Sequence, residues 1–105
     1  TKRIVVSIQN NGTLDFLRPD DVIEISCDLS RDGLKPVTPV KVPTAQKNMI
    51  ACVKEYERLA VAAILQQDKS LAVRALMAHP LIGSYSLAKT LVEAYLDDEQ
   101  FAAWQ

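Results

Sequence analysis

Glycine is scarce in this chain: Gly12, Gly33 and Gly83 are its only three in 105 residues, and no two lie close together. A nucleotide cofactor is normally cradled by several glycines in quick succession at a strand-to-helix turn, where the bare backbone can approach the phosphates. No dinucleotide-binding domain is therefore expected, and no cofactor-binding residue is assigned. Cysteine is nearly as sparse. Cys27 and Cys52 stand 25 residues apart with no CxxC spacing and no paired histidine, which excludes a zinc-ligand pattern and a dense disulfide framework. Both read as buried, reduced thiols, and reduced thiols point to the cytoplasm.

The single histidine, His79, has no partner at a spacing that suggests a nucleophile, base and orienter. It reads as a helix-terminal residue facing the last carbonyls. No catalytic residue and no metal ligand is assigned anywhere in the chain. Long apolar runs are also missing: no window approaches the roughly 18 uninterrupted residues that a membrane span needs. Thr1-Lys2-Arg3 leads into a strand pattern rather than the apolar core of a signal peptide. Basic runs are absent too. Twelve Lys and Arg against thirteen Asp and Glu give a net charge of -1, spread evenly, so neither nucleic acid nor an anionic membrane is an expected partner. Aromatics make up 6%, and Tyr56, Tyr85, Tyr95, Phe101 and Trp104 fall mostly at helical spacing, which favours core packing over a ligand box.

What is present is a β-rich first part and a helical second part, with the change at Pro43-Thr44. With 49% hydrophobic residues the chain can bury a core, and 1–105 is read as one domain of α+β class. A short antiparallel β segment is expected over about residues 3–10 and 21–29, with an extended stretch over 34–42. The first strand, Ile4-Val5-Val6-Ser7-Ile8, is β-branched and reads as fully covered, whereas the second, from Val22 to Leu29, alternates. Asp32-Gly33 marks a tight turn, and Pro36, Pro39 and Pro43 confine the stretch beyond it to a sheet edge.

Three to four packed helices make up the second part, over about 44–67, 69–78, 85–97 and 98–104. Thr44 is placed to cap the first, whose Met49, Val53, Tyr56, Ala60, Ala63 and Ile64 form one buried stripe. Asp68 caps the second, which ends at His79-Pro80 because proline disfavours helical angles in the residue before it. Ser84 or Ser86 opens the third, and Asp97 is placed to cap a last turn presenting Phe101 and Trp104.

The carboxylate clusters Asp20-Asp21 and Asp97-Asp98-Glu99 sit at the mouths of elements, where capping or solvation accounts for them, with a metal or acid-base role as the alternative. Asn10-Asn11-Gly12 is different. Amides at the end of an apolar strand serve either to hold a strained turn or to hydrogen-bond a hydroxylated ligand. Both readings stand, and Asn10 and Asn11 are the substrate-binding candidates.

Several segments together resemble a known family. These are Val6 to Gly12, Leu17 to Cys27, Arg31-Asp32-Gly33, Val53 to Leu59, and Ala75 to Tyr85 with its His79-Pro80-Leu81-Ile82-Gly83 core. In order and spacing they resemble the carboxy-terminal part of glycoside hydrolase family 4, and within it the 6-phospho-β-glucosidases. That resemblance implies a cytoplasmic, homo-oligomeric enzyme acting on phosphorylated β-glucosides with NAD and a divalent metal, manganese by preference. The family departs from two-carboxylate glycosidase chemistry and works by oxidation, elimination and addition. The resemblance also implies that the family's dinucleotide fingerprint, metal ligands and proposed base lie upstream of the matched segments, so Cys27, Cys52 and His79 do not inherit those roles. Opening at Thr1, directly on a strand, the chain is expected to be a fragment equivalent to the substrate and oligomerisation part of a longer enzyme, inactive alone. The alternative is a free-standing α+β protein-interaction module.

Overall fold

The computed structural model describes residues 1–105, in two compact units, Thr1–Lys47 and Asn48–Gln105. The first unit is built on an antiparallel sheet of three strands in the order β1-β2-β3, with β1 at Lys2–Gln9, β2 at Val22–Ser30 and β3 at Gly33–Pro36. Register obeys side-chain alternation. Ile4 pairs with Cys27, Val6 with Ile25 and Ile8 with Ile23, which gathers the apolar residues of both strands on one face, where Ile23 and Cys27 are buried. The other face carries Arg3 opposite Asp28 and Ser7 opposite Glu24. A slip of one residue would turn every one of these side chains over, so the pattern pins the pairing.

β1 is not fully covered as its composition suggests. It alternates, and Val5 is 63% exposed on the polar face. β-branched residues favour the extended backbone whether or not they are buried, so composition overstated the covering. β3 is also shorter than the expected extended stretch. Arg31 and Asp32 turn the chain, Gly33 takes a positive φ of 103°, and the strand stops at Pro36. Proline has no N–H to continue a ladder, and one further bond, from Val37 N–H to the Ser26 carbonyl (3.0 Å), ends the pairing.

Helix α1, Thr44–Gln66, opens in the first unit and continues through the second, which adds α2, Lys69–Ala78, α3, Tyr85–Tyr95, and one 3-10 turn, Glu99–Phe101. The mixed α+β class is as expected. Thr44 is the first helical residue rather than a cap, and the Pro43 carbonyl takes the Lys47 N–H (2.9 Å). The Asp68 carboxylate caps α2 by accepting from Leu71 N–H, and the Ser84 hydroxyl caps α3 by accepting from Leu87 N–H. At the last turn the cap is Asp98 rather than Asp97, accepting from Gln100 N–H (3.2 Å), and the segment forms a single 3-10 turn instead of a helix over 98–104.

Small residues sit at the centre of the helical unit: Ala63, Ala75 and Ala88 are buried, with Val92 beside them. α2 and α3 run close together, and the small side chains of Ala75 and Ala88 leave room for that approach. The α1 stripe is accordingly narrower than its periodicity suggests, since Met49 and Ile64 at its two ends are mostly exposed. The chain end is fastened: Gln105 N–H donates to the Gln67 carbonyl and its own carbonyl accepts from Lys69 N–H. No helix is long and apolar enough to cross a membrane.

Candidate functional site

The link from β1 to β2 begins where the ladder ends, at Gln9 and Val22. The Asn10 N–H donates to the Asp21 carbonyl at 2.7 Å, and the Asn11 N–H to the Pro19 carbonyl at 2.9 Å. Asn11 and Gly12 both take positive φ, 45° and 86°, and the Thr13 N–H closes on the Asn10 carbonyl. Positive φ at two successive central residues is the type I′ pattern that an Asn-Gly pair accommodates.

Asn10 is fully buried, and its amide is spent on the turn itself. Its Nδ2 donates to the carbonyls of Leu14 (2.9 Å) and Arg18 (3.0 Å), and its Oδ1 accepts from the Leu14 N–H (2.7 Å). One side chain therefore ties both ends of the 14–18 segment to the end of β1. Asp21, also buried, secures the far side. Its Oδ2 accepts from the Arg18 N–H at 2.9 Å, and its own N–H donates back to the Arg18 carbonyl. This is the capping chemistry expected of the Asp20-Asp21 pair. Asn11, in contrast, is exposed and its side chain makes no hydrogen bond within the chain.

The segment fixed in this way forms one wall of a cavity of about 450 Å³. Thr13, Asp15 and Phe16 face the stretch from Thr38 to Val42 across it, and Lys47 closes one side with its Nζ 5.6 Å from the Phe16 ring centroid. A cation over an aromatic face is attracted by the ring quadrupole. Two hydroxyls, two ammonium groups and a carboxylate around a partly apolar floor suit a hydroxylated, negatively charged small molecule. Neither Asn10 nor Asn11 lines this cavity, and the residues that do carry no signal in the sequence. Phe16 and Lys47 lie 31 positions apart, and no local pattern announces that they meet.

Elsewhere the candidate chemistry resolves into structure. The His79 backbone N–H caps α2 by donating to the Leu76 carbonyl, but its Nδ1 accepts from the Leu81 N–H at 3.2 Å instead of facing carbonyls. Its ring meets Tyr56 edge-on, with centroids 4.9 Å apart. Cys27 is buried as expected, whereas Cys52 is exposed: it lies near Met49 at the end of the α1 stripe that is itself mostly uncovered. No three His, Cys, Asp or Glu side chains converge where they could hold a metal ion.

Comparison with known proteins gives this geometry a context. The family model described as the family 4 glycosyl hydrolase C-terminal domain matches residues 1–82. The chain is 36% identical over 93 residues to the 6-phospho-beta-glucosidase BglT of Thermotoga maritima, covering 89% of this chain and 22% of that protein. A crystal structure of the Thermotoga maritima 6-phospho-beta glucosidase with manganese, NAD+ and glucose-6-phosphate superposes with a TM-score of 0.79 at 34% identity, over 94% of this chain and 24% of that one. A 6-phospho-alpha-glucosidase from gut microorganisms, in complex with NAD and glucose-6-phosphate, superposes with a TM-score of 0.83 at 25% identity, over 98% of this chain and 24% of that one. The chain thus spans less than a quarter of the length of the relatives it matches, and with the family match running from β1 to the loop after α2, it belongs to the family 4 glycosyl hydrolase C-terminal domain family.

Proposed function

We propose that this chain is the carboxy-terminal, substrate-side and oligomerisation part of a cytoplasmic NAD- and divalent-metal-dependent 6-phospho-β-glucosidase. The observation that carries the reading is the 36% identity to a 6-phospho-β-glucosidase over 93 residues, against 25% to the 6-phospho-α-glucosidase of equally similar fold. The three-strand sheet and the helices supply shape, and the cavity beside the Asn10 turn is the part of this chain that faces a phosphorylated sugar. Asn10 serves it by holding the 14–18 wall from behind. Asn11, exposed and outside this cavity, meets substrate only at a surface completed by the rest of the intact polypeptide. In this reading NAD and the metal are held by other parts of the intact polypeptide, as the resemblance to the family implies. The many exposed apolar side chains of the helical unit, Leu65, Leu81 and Tyr95 among them, fit burial against the rest of a homo-oligomer.

The test uses the intact polypeptide that contains this chain, with 4-nitrophenyl 6-phosphoglucosides of both anomers as substrates. Hydrolysis of the β anomer is expected, dependent on added NAD and manganese, with the isolated 105 residues inactive. Faster cleavage of the α anomer would overturn the assignment to β-glucosides, and NAD-independent hydrolysis would overturn the enzyme class.

A further inference from the structure

The helical unit contains five Lys and Arg residues: Lys54, Arg58, Lys69, Arg74 and Lys89. Two are neutralised along α1, where Lys54 pairs with Glu57 at 2.9 Å and Arg58 with Glu55 at 3.1 Å. The other three have no carboxylate within ion-pair distance, and all three line a single cavity of about 270 Å³ formed by α2 and α3. Helical spacing contributes to the convergence: Lys69 with Val73 and Ser70 with Arg74 are i, i+4 pairs on adjacent rows of α2, and Tyr85, Lys89 and Val92 share one face of α3. Val92 is buried and forms part of the floor, while the hydroxyls of Ser70 and Tyr85 stand among the cations. Glu93 is the one acid in the lining. It lies four residues after Lys89, the less favourable order for a helical ion pair, and forms none, so cations outnumber it three to one.

We infer that this α2–α3 cleft is a binding site for a small phosphate-bearing anion, held by Lys69, Arg74 and Lys89 with help from the Ser70 and Tyr85 hydroxyls. Guanidinium and ammonium groups with hydroxyls nearby match an oxyanion that can accept several hydrogen bonds at once. The cavity is below the size that encloses a drug-sized ligand, and a chain of net charge -1 offers no wide basic field for a polymer or a membrane. The inference stands on this cleft alone and does not depend on the phosphoglucosidase reading, which concerns a different cavity.

The experiment is a titration of the intact polypeptide that contains this chain, labelled with 15N, by inorganic phosphate, glucose 6-phosphate and glucose at constant ionic strength, read from the amide shifts of residues 69–74 and 85–93. Both phosphate compounds should shift these amides saturably, with affinity in the millimolar range and weakening as salt is raised. Tighter binding of glucose 6-phosphate than of phosphate would show that the sugar is read as well, and equal binding that the phosphate alone is. Arg74→Gln and, separately, Lys89→Gln should each weaken binding about fivefold, a factor typical of losing one charge-assisted contact at an exposed site, while Lys35→Gln on β3 should leave it unchanged. Shifts with glucose alone, shifts that do not saturate, undiminished binding in both Gln variants, or binding to anionic vesicles without a response to phosphate would each overturn the inference.

Discussion

Replacing Asn10 by alanine removes three hydrogen bonds at once from a site with no access to solvent. Each such bond contributes about 1 kcal/mol net, so the direct loss is about 3 kcal/mol. Two corrections act in opposite directions. The Leu14 N–H, left buried without a partner, adds part of its desolvation cost, whereas water entering the vacated space satisfies the Leu14 and Arg18 carbonyls in part. The expected destabilisation of the first unit is therefore about 2–4 kcal/mol, at the upper end for a point substitution. Urea titration monitored through the β1 and β2 amide resonances reads that unit directly, where Trp104 fluorescence would report on the other. Asn10→Asp sharpens the test. Its carboxylate would face two carbonyl oxygens, so burial and repulsion raise its folded-state pKa above the unfolded value near 3.9. The variant should then be most stable below the unfolded pKa and lose stability as pH rises through the folded one. A loss below about 0.5 kcal/mol for Asn10→Ala, or an Asn10→Asp variant that gains stability with rising pH, would refute the view that this amide holds the turn.

Two other substitutions test neighbouring claims. Asn11→Val forces a β-branched residue into positive φ and should cost about 1–2 kcal/mol, whereas Asn11→Gly should change stability by under about 0.5 kcal/mol. The same urea titration compares them, and equal costs would show that φ does not govern the position. On the polar face of the sheet, the hydrogen bond from Arg3, aided by its charge, holds the Asp28 carboxyl below its ordinary value. Arg3→Gln should raise the Asp28 pKa, as read by side-chain carboxyl NMR. The pair's small contribution is present above the unfolded pKa of Asp28 and lost as pH falls through the folded value. An unchanged Asp28 titration would show the pair to be without effect in solution.

Much of the fold could be read from local chemistry. Asp68 and Ser84 cap their helices because a short side-chain oxygen at those positions reaches a free N–H two or three residues on, and nothing distant needs to cooperate. Proline and glycine are equally local, which is why Gly33 and Pro36 bound β3. Readings that depended on neighbours were less secure. Val5, Met49 and Ile64 fit apolar patterns and are exposed, because periodicity states which face an apolar residue shares and not whether another element covers that face. Cys52 reads as buried on composition and lies exposed on α1 for the same reason.

The candidate sites divide along the same line. Sequence alone marked Asn10-Asn11-Gly12 as either a strained turn or a ligand contact, since the amide and glycine chemistry is carried by the residues themselves, and the positive φ of Asn11 and Gly12 gives the turn. Sequence also determined the α+β order, through the change of period at Pro43-Thr44. Only the tertiary structure decided that the Asn10 amide is turned inward and spent, and that Lys47 comes to lie over Phe16. It also decided that Lys69, Arg74 and Lys89 border one cleft while Lys54 and Arg58 are paired away. Those outcomes depend on where the backbone brings distant residues, and side-chain hydrogen bonds and charge interactions act only over a few ångströms. Spacing along the chain cannot supply such proximities; packing must.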